Sequence, residues 1–144
     1  MRIPLFAATL TVALPALAHH GFTGRYDTTT PLYLQGEVTS AVWGFPHAVL
    51  EVTLAADAAI PAVLADTFGA GLVPLTDADT VTVEFPPVAE FNDLEDRIAS
   101  GDSISMVVLR NCDPPNQLRA QWVAPAEGEP VLRSRIWQDE VAGC

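Results

Sequence analysis

From residue 32 to residue 43 apolar and polar side chains alternate, with Leu32, Leu34, Gly36, Val38, Ser40 and Val42 on one side. A period of two predicts a strand with one buried face. Gly44, Phe45 and Pro46 interrupt it, and Ala48, Leu50, Val52 and Leu54 then oppose Val49, Glu51 and Thr53. Two antiparallel strands joined through residues 44–47 are the natural reading. The period then changes. Residues 55–68 are alanine-rich, and Ile60, Val63, Leu64 and Phe68 fall at helical spacing, with Gly69 and Gly71 as stop signals. Residues 80–85 form a further β run halted by Pro86 and Pro87. Residues 92–99 predict a short helix, capped by Asn92, with Asp93 and Glu95 in its first turn and Gly101 beyond its end. Residues 103–110, 118–123 and 131–137 read as strands, the last two separated by a turn between Pro125 and Pro130. The arm 22–31 is polar and turn-rich and predicts no strand. Five or six strands with one or two short helices point to a mainly β fold, a small OB-like β-barrel or a compact sandwich.

Residues 1–18 stand apart from this pattern. Arg2 precedes an apolar stretch at 3–14, too short for a membrane span of about 20 residues. Pro15 breaks it, and Ala16 and Ala18 are the small residues that a signal peptidase needs. The expected organisation is a signal peptide at 1–18 and a single β-rich domain at 19–144, periplasmic or secreted, with no membrane span after cleavage. The competing reading is an apolar N-terminal helix or an uncleaved anchor.

Eighteen acidic side chains stand against seven arginines and no lysine, a formal charge of −11. Such a field repels nucleic acid and anionic membrane surfaces and is compatible with a cation. It also keeps an exported protein soluble. The two cysteines, Cys112 and Cys144, most simply form one disulfide in an oxidising compartment. The alternative makes them soft metal ligands.

The three histidines carry the candidate chemistry. Cleavage after Ala18 would leave His19 as the first residue, followed by His20, and His47 sits at the strand connection after Pro46. An N-terminal histidine can chelate copper through its amino nitrogen and ring Nδ1, and a second imidazole can close a T of three nitrogens suited to Cu(II). Imidazole also suits Zn(II). The expected metal ligands are His19 and His47. His20 is open between replacing His47, covering the site and supplying a backbone amide. Both nitrogen types bind only when unprotonated, so acid should weaken the site. Asp27 and Glu37 are candidates for an oxygen ligand or for orienting an imidazole, and otherwise read as surface or turn carboxylates. Phe22, Tyr26 and Trp43 could wall the site or belong to the core. Met106 reads as packing, and Asp93, Glu95 and Asp96 as an exposed helix face. No phosphate-binding loop and no serine or cysteine nucleophile with a histidine base is recognisable.

The order Ala18-His19-His20-Gly21-Phe22, Tyr26-Asp27, Leu34-x-Gly36-x-Val38 and Trp43-x-x-Pro46-His47-Ala48 resembles a family of small exported bacterial proteins of uncharacterised function. Its members begin, after the signal, with His-His-x-Phe and carry a Trp-x-Asn-Pro-His turn. The likeness covers residues 19–54, and residues 101–110 resemble a later Gly-Asp strand of the family. The resemblance implies a small β-barrel and a histidine-brace copper site like those of periplasmic copper carriers and lytic polysaccharide monooxygenases, with His19 and His47 as ligands and His20 beside them. Phe45 stands where the family has asparagine, and Cys112 and Cys144 are not part of its general pattern.

Three functions follow as expectations. The first is a periplasmic copper-binding protein for storage, delivery or resistance, with a metal ion as partner and a periplasmic protein as a further candidate partner. The second is a copper-dependent oxidoreductase, which turnover of ascorbate with oxygen or peroxide would reveal. The third is a metal-free binding or structural module of the cell envelope, in which loss of all three histidines changes nothing.

Overall fold

The computed structural model describes residues 24–44, 47–134 and 140–144. The strands are β1 (Tyr26–Asp27), β2 (Leu32–Val42), β3 (Ala48–Leu54), β4 (Val73–Pro74), β5 (Thr80–Phe85), β6 (Ser103–Arg110), β7 (Leu118–Pro125), β8 (Val131–Leu132) and β9 (Glu140–Val141), with one α-helix, α1 (Ala62–Phe68). Five strands close a barrel in the order β2-β3-β5-β7-β6 and back to β2. All neighbours are antiparallel except β5 and β7. This is the OB-like barrel that the alternation predicts.

Within the barrel strand β2 serves two partners, β6 along Leu32 to Glu37 and β3 from Gly36 to Val42, and outside it β4 pairs in parallel with Leu32 and Tyr33. Gly36 lies in both pairings. A Cβ there would sit 2.1 Å from the Thr53 carbonyl oxygen, so a side chain would push the strands apart. Two residues later the register passes from Val38 opposite Val52 to Ser40 opposite Glu51, leaving Thr39 as an extra residue. A bulge of one residue exchanges the two faces of everything beyond it. The simple alternation put Ser40 and Val42 on the core side. Instead Val42 is 60% exposed, and Ala41 and Trp43 pack against the core.

The barrel interior is apolar, with Leu34, Val38, Leu50, Val52, Met106 and Ala120 fully buried. The segment between β5 and β6 adds Phe91, Leu94 and Ile98 to the same core. The expected helix at 92–99 is instead a pair of 3-10 turns, Ala89–Phe91 and Leu94–Asp96. Asn92 does not cap a helix: its N–H donates to the Ala89 carbonyl and closes the first turn. Residues three apart line up in 3-10 geometry, and the two turns bury one such pair, Phe91 and Leu94.

Helix α1 is shorter than residues 55–68. Pro61 stands at its N-cap with extended geometry (ψ 137°), and proline disfavours the helical region for the residue before it. Gly69, at φ 78°, ends the helix and donates its N–H to the Ala65 carbonyl at 2.9 Å. Leu64 packs on the outside of the barrel with Tyr33, Leu72 and Val107, flanked by Ile60, Phe68 and Trp122. Val63, expected on the apolar stripe, is 67% exposed. The strand expected at 131–137 is only Val131–Leu132 where described, paired with β7; residues 135–137 lie outside the described residues.

The arm, expected to hold no strand, contributes β1, which pairs in parallel with β9. The backbone N–H and Oγ1 of Thr28 both donate to the Val141 carbonyl, each at 2.9 Å. The Cys112 N–H donates to the Arg25 carbonyl at 2.6 Å, and Asn111 Oδ1 accepts from the Arg25 N–H at 3.1 Å. The Cys112–Cys144 disulfide, expected from the cysteine count, fastens the same region with 5.3 Å between its Cα atoms. Beneath the strap the guanidinium groups of Arg119 and Arg133 both pair with the Glu140 carboxylate, Arg119 Nη2 at 2.6 Å. These side chains are only 1%, 0% and 4% exposed. The Arg119 guanidinium also lies 4.0 Å above the Tyr26 ring, a cation–π contact.

Candidate functional site

His47 immediately precedes β3, beside the end of β5, where Ala48 pairs with Phe85. It lines a surface depression of about 320 Å³ together with Trp43, Phe85, Phe91, Asn92 and Glu95, and with Pro86, Pro87 and Val88. The bulge in β2 is what turns Trp43 toward this place. The indole Nε1–H donates to the Ile98 carbonyl at 3.3 Å, which ties the ring to the segment that plugs the barrel. Trp43 meets Phe85 edge-on at 5.5 Å, and Phe85 meets Phe91 edge-on at 5.4 Å. Such T-shaped pairs are favourable and fix the ring planes. The depression therefore has a rigid aromatic wall, one imidazole and two polar groups from the 3-10 turns.

The residues picked out from the sequence are distributed unevenly around this site. Trp43 and His47 come together. His19, His20 and Phe22 lie outside the described residues. Asp27 lines a different depression, with Thr30, Asp77, Arg110 and Cys144. Glu37 lines a third, with Thr53, Asp57 and Ser103. Tyr26 is buried under Arg119 in the strap, and Met106 is buried inside the barrel. Among the described residues no group of three or more His, Cys, Asp or Glu side chains is placed to hold a metal ion. His47 is the one histidine among the described residues.

Asp27 accepts from the backbone N–H and Oγ1 of its neighbour Thr29, at 2.8 and 2.6 Å. Desolvation pushes this carboxyl up, but hydrogen bonds from the Thr29 side chain and backbone, the Thr30 side chain and the Gly143 backbone together outweigh it. The carboxyl is held below its ordinary value. Arg110 Nη2 donates to both carboxylate oxygens of Asp77, at 3.3 and 3.0 Å, and both side chains are more than a third exposed.

Sequence reasoning did not single out the buried arginines or their acid. The available signal was Arg119 between Leu118 and Ala120 in an apolar strand. It read Glu95 as part of an exposed helix face; Glu95 is exposed, on a 3-10 turn rather than an α-helix, and lines the His47 depression.

Residues 8–67 match the profile of a Family of unknown function (DUF6152). That stretch is less than half of the chain and contains all three histidines, β1 to β3 and most of α1. No curated protein matches the chain. No helix among the described residues is long and apolar enough to cross a membrane.

Proposed function

We propose that this is an exported copper-binding protein, acting in copper storage, delivery or resistance through a histidine-brace-type site. In this reading, signal cleavage after Ala18 frees the amino group of His19. That nitrogen, the His19 ring and the His47 ring then form the donor set, with His20 beside them. The observation that carries the reading is the position of His47. The chain's one histidine outside the N-terminal pair lines a depression walled by Trp43, Phe85 and Phe91, at the start of β3. Three nitrogen donors of this kind suit Cu(II), with Zn(II) the nearest competitor. A bound copper would supply a site able to hold or exchange the ion; Trp43 and Phe85 would limit water on one side of it.

The test uses the mature protein starting at His19. Cu(II) should bind with a nitrogen-coordinated type 2 paramagnetic resonance spectrum and quench Trp43 fluorescence. His47→Ala, or acetylation of the amino terminus, should abolish both. Copper binding unchanged by His47→Ala would overturn the proposal.

A further inference from the structure

We infer that Arg119 and Arg133 form a carboxylate-binding site that the chain's own Glu140 occupies and that the Cys112–Cys144 disulfide keeps shut. The site is independent of the histidines. Its two arginines are placed by the barrel and its flanking strand. Arg119 lies in β7, opposite Glu84 of β5 on one side and Leu109 of β6 on the other. The Arg133 N–H donates to the Gln121 carbonyl at 2.9 Å, and Arg133 Nε donates to Gln121 Oε1, also at 2.9 Å. The Tyr26 ring supports one face of the Arg119 guanidinium. Glu140 makes none of these contacts.

The carboxylate arrives from elsewhere. Glu140 belongs to β9, which is no part of the barrel, and among the described residues β9 pairs with β1 alone, over two residues. Beyond that pairing, the Val141 carbonyl accepts from Thr28, the Gly143 backbone bonds Asp27, and Cys144 is bonded to Cys112. The segment from Arg133 to Cys144 is thus fixed at both ends, with Glu140 presented to the arginines between them. Guanidinium groups hold carboxylates by charge-assisted hydrogen bonds of matching geometry. Stability alone does not call for a buried triad of this kind, since apolar side chains of similar volume often hold a core as well or better. Glu140 is therefore an internal competitor, and the ligand it keeps out is an external carboxylate.

The disulfide sets the access. Cys144 is exposed and borders a surface depression, where a dithiol reductant can reach it. A thiolate of the reductant attacks the Cys144 sulfur, the S–S bond breaks, and Cys112 leaves as a thiolate that takes up a proton. The second thiolate of the reductant then displaces Cys144, which also takes up a proton, and closes the reductant's own disulfide. Two electrons and two protons have passed to the protein. With one end of the segment free, docking of Glu140 loses the gain of a second attachment, about a hundredfold at the lower end of its usual range.

Arginine labelling with phenylglyoxal, read by mass spectrometry on the full chain without added metal, tests this. The oxidised protein should leave Arg119 and Arg133 unlabelled. Reduction with dithiothreitol and capping of the thiols with iodoacetamide, or Cys112→Ser with Cys144→Ser, should speed their labelling about a hundredfold. The amides of Leu50 and Val52 should stay protected from exchange. Acetate, or an end-blocked peptide of residues 138–142, should slow the labelling more than chloride at equal ionic strength; the arm that succeeds says whether small acids or acidic peptides fit. The inference is overturned if reduction leaves both arginines unlabelled, if neither carboxylate protects better than chloride, or if phosphate protects better than both. Loss of Leu50 and Val52 protection on reduction would overturn it as well, by making the disulfide a staple of the whole barrel.

Discussion

Replacing Glu140 with glutamine removes one charge and almost no volume from the strap. It leaves the Arg119 and Arg133 guanidinium groups, at 1% and 0% exposure, without the carboxylate that both of them contact. Breaking a buried ion pair from one side costs about 3–5 kcal/mol, because the remaining charge stays desolvated. Here two cations lose the same anion, so the upper part of that range is expected. Asp77→Asn is the internal control. It breaks another hydrogen-bonded arginine–carboxylate pair, but Asp77 and Arg110 are 59% and 38% exposed, and such pairs contribute about 0–1 kcal/mol. Urea unfolding of the disulfide-intact protein at neutral pH reads both. At a slope of about 1.5 kcal/mol/M, a loss of 3 kcal/mol moves the midpoint down by about 2 M. The exchange rate of the Thr28 amide, bonded to Val141, should rise with it in Glu140→Gln. A midpoint for Glu140→Gln within 1 kcal/mol of wild type, or an Asp77→Asn loss as large, would refute the reasoning that burial sets these energies.

Three further outcomes are expected. Converting Cys112 and Cys144 to serine should cost about 3.5–4 kcal/mol by the chain-entropy argument for their spacing, read in the same urea experiment without reductant. Asp27 is held below its unfolded value, so the folded state binds fewer protons there. Its contribution is present above an unfolded value of about 3.9 and is lost as pH falls through the lower folded value; urea midpoints between about pH 2 and 5 should flatten in Asp27→Asn. Val42→Thr should stay within about 0.5 kcal/mol of wild type, whereas Leu50→Ala should lose about 2–5 kcal/mol; comparable losses at both positions would contradict the bulge in β2.

The barrel was legible because its strands bury one face each, and period-two alternation records that directly. Legibility ended where the period was broken by one residue. Thr39 is an ordinary strand residue in the sequence, and only the pairing with β3 shows it to be the extra one in the bulge. Its effect is to move Trp43 to the core side and so beside His47. The two-residue strands β1, β4 and β9 carry no local pattern, since partners distant in the chain define them. At the candidate site, His47 and Trp43 stood out because residue type and turn position coincide. Glu95 did not: one exposed carboxylate in an acidic run at 93–96 carries no local mark that it borders the depression. Asp27 lies in the arm, but its carboxylate meets the Gly143 backbone of the C-terminal segment and lines a different depression from His47.

The parallel pairing of β1 with β9 also sets an order of events. Thr28 and Val141 are separated by 113 residues, so in a chain emerging from its N-terminus the arm appears long before its partner exists. The barrel can close in the meantime, because none of its five strands needs β9. Pairing of β1 with β9 is therefore the last act of assembly, and a nascent or C-terminally clipped chain would display a finished barrel whose arm is moored through Arg25 to Asn111 and Cys112 but not to β9.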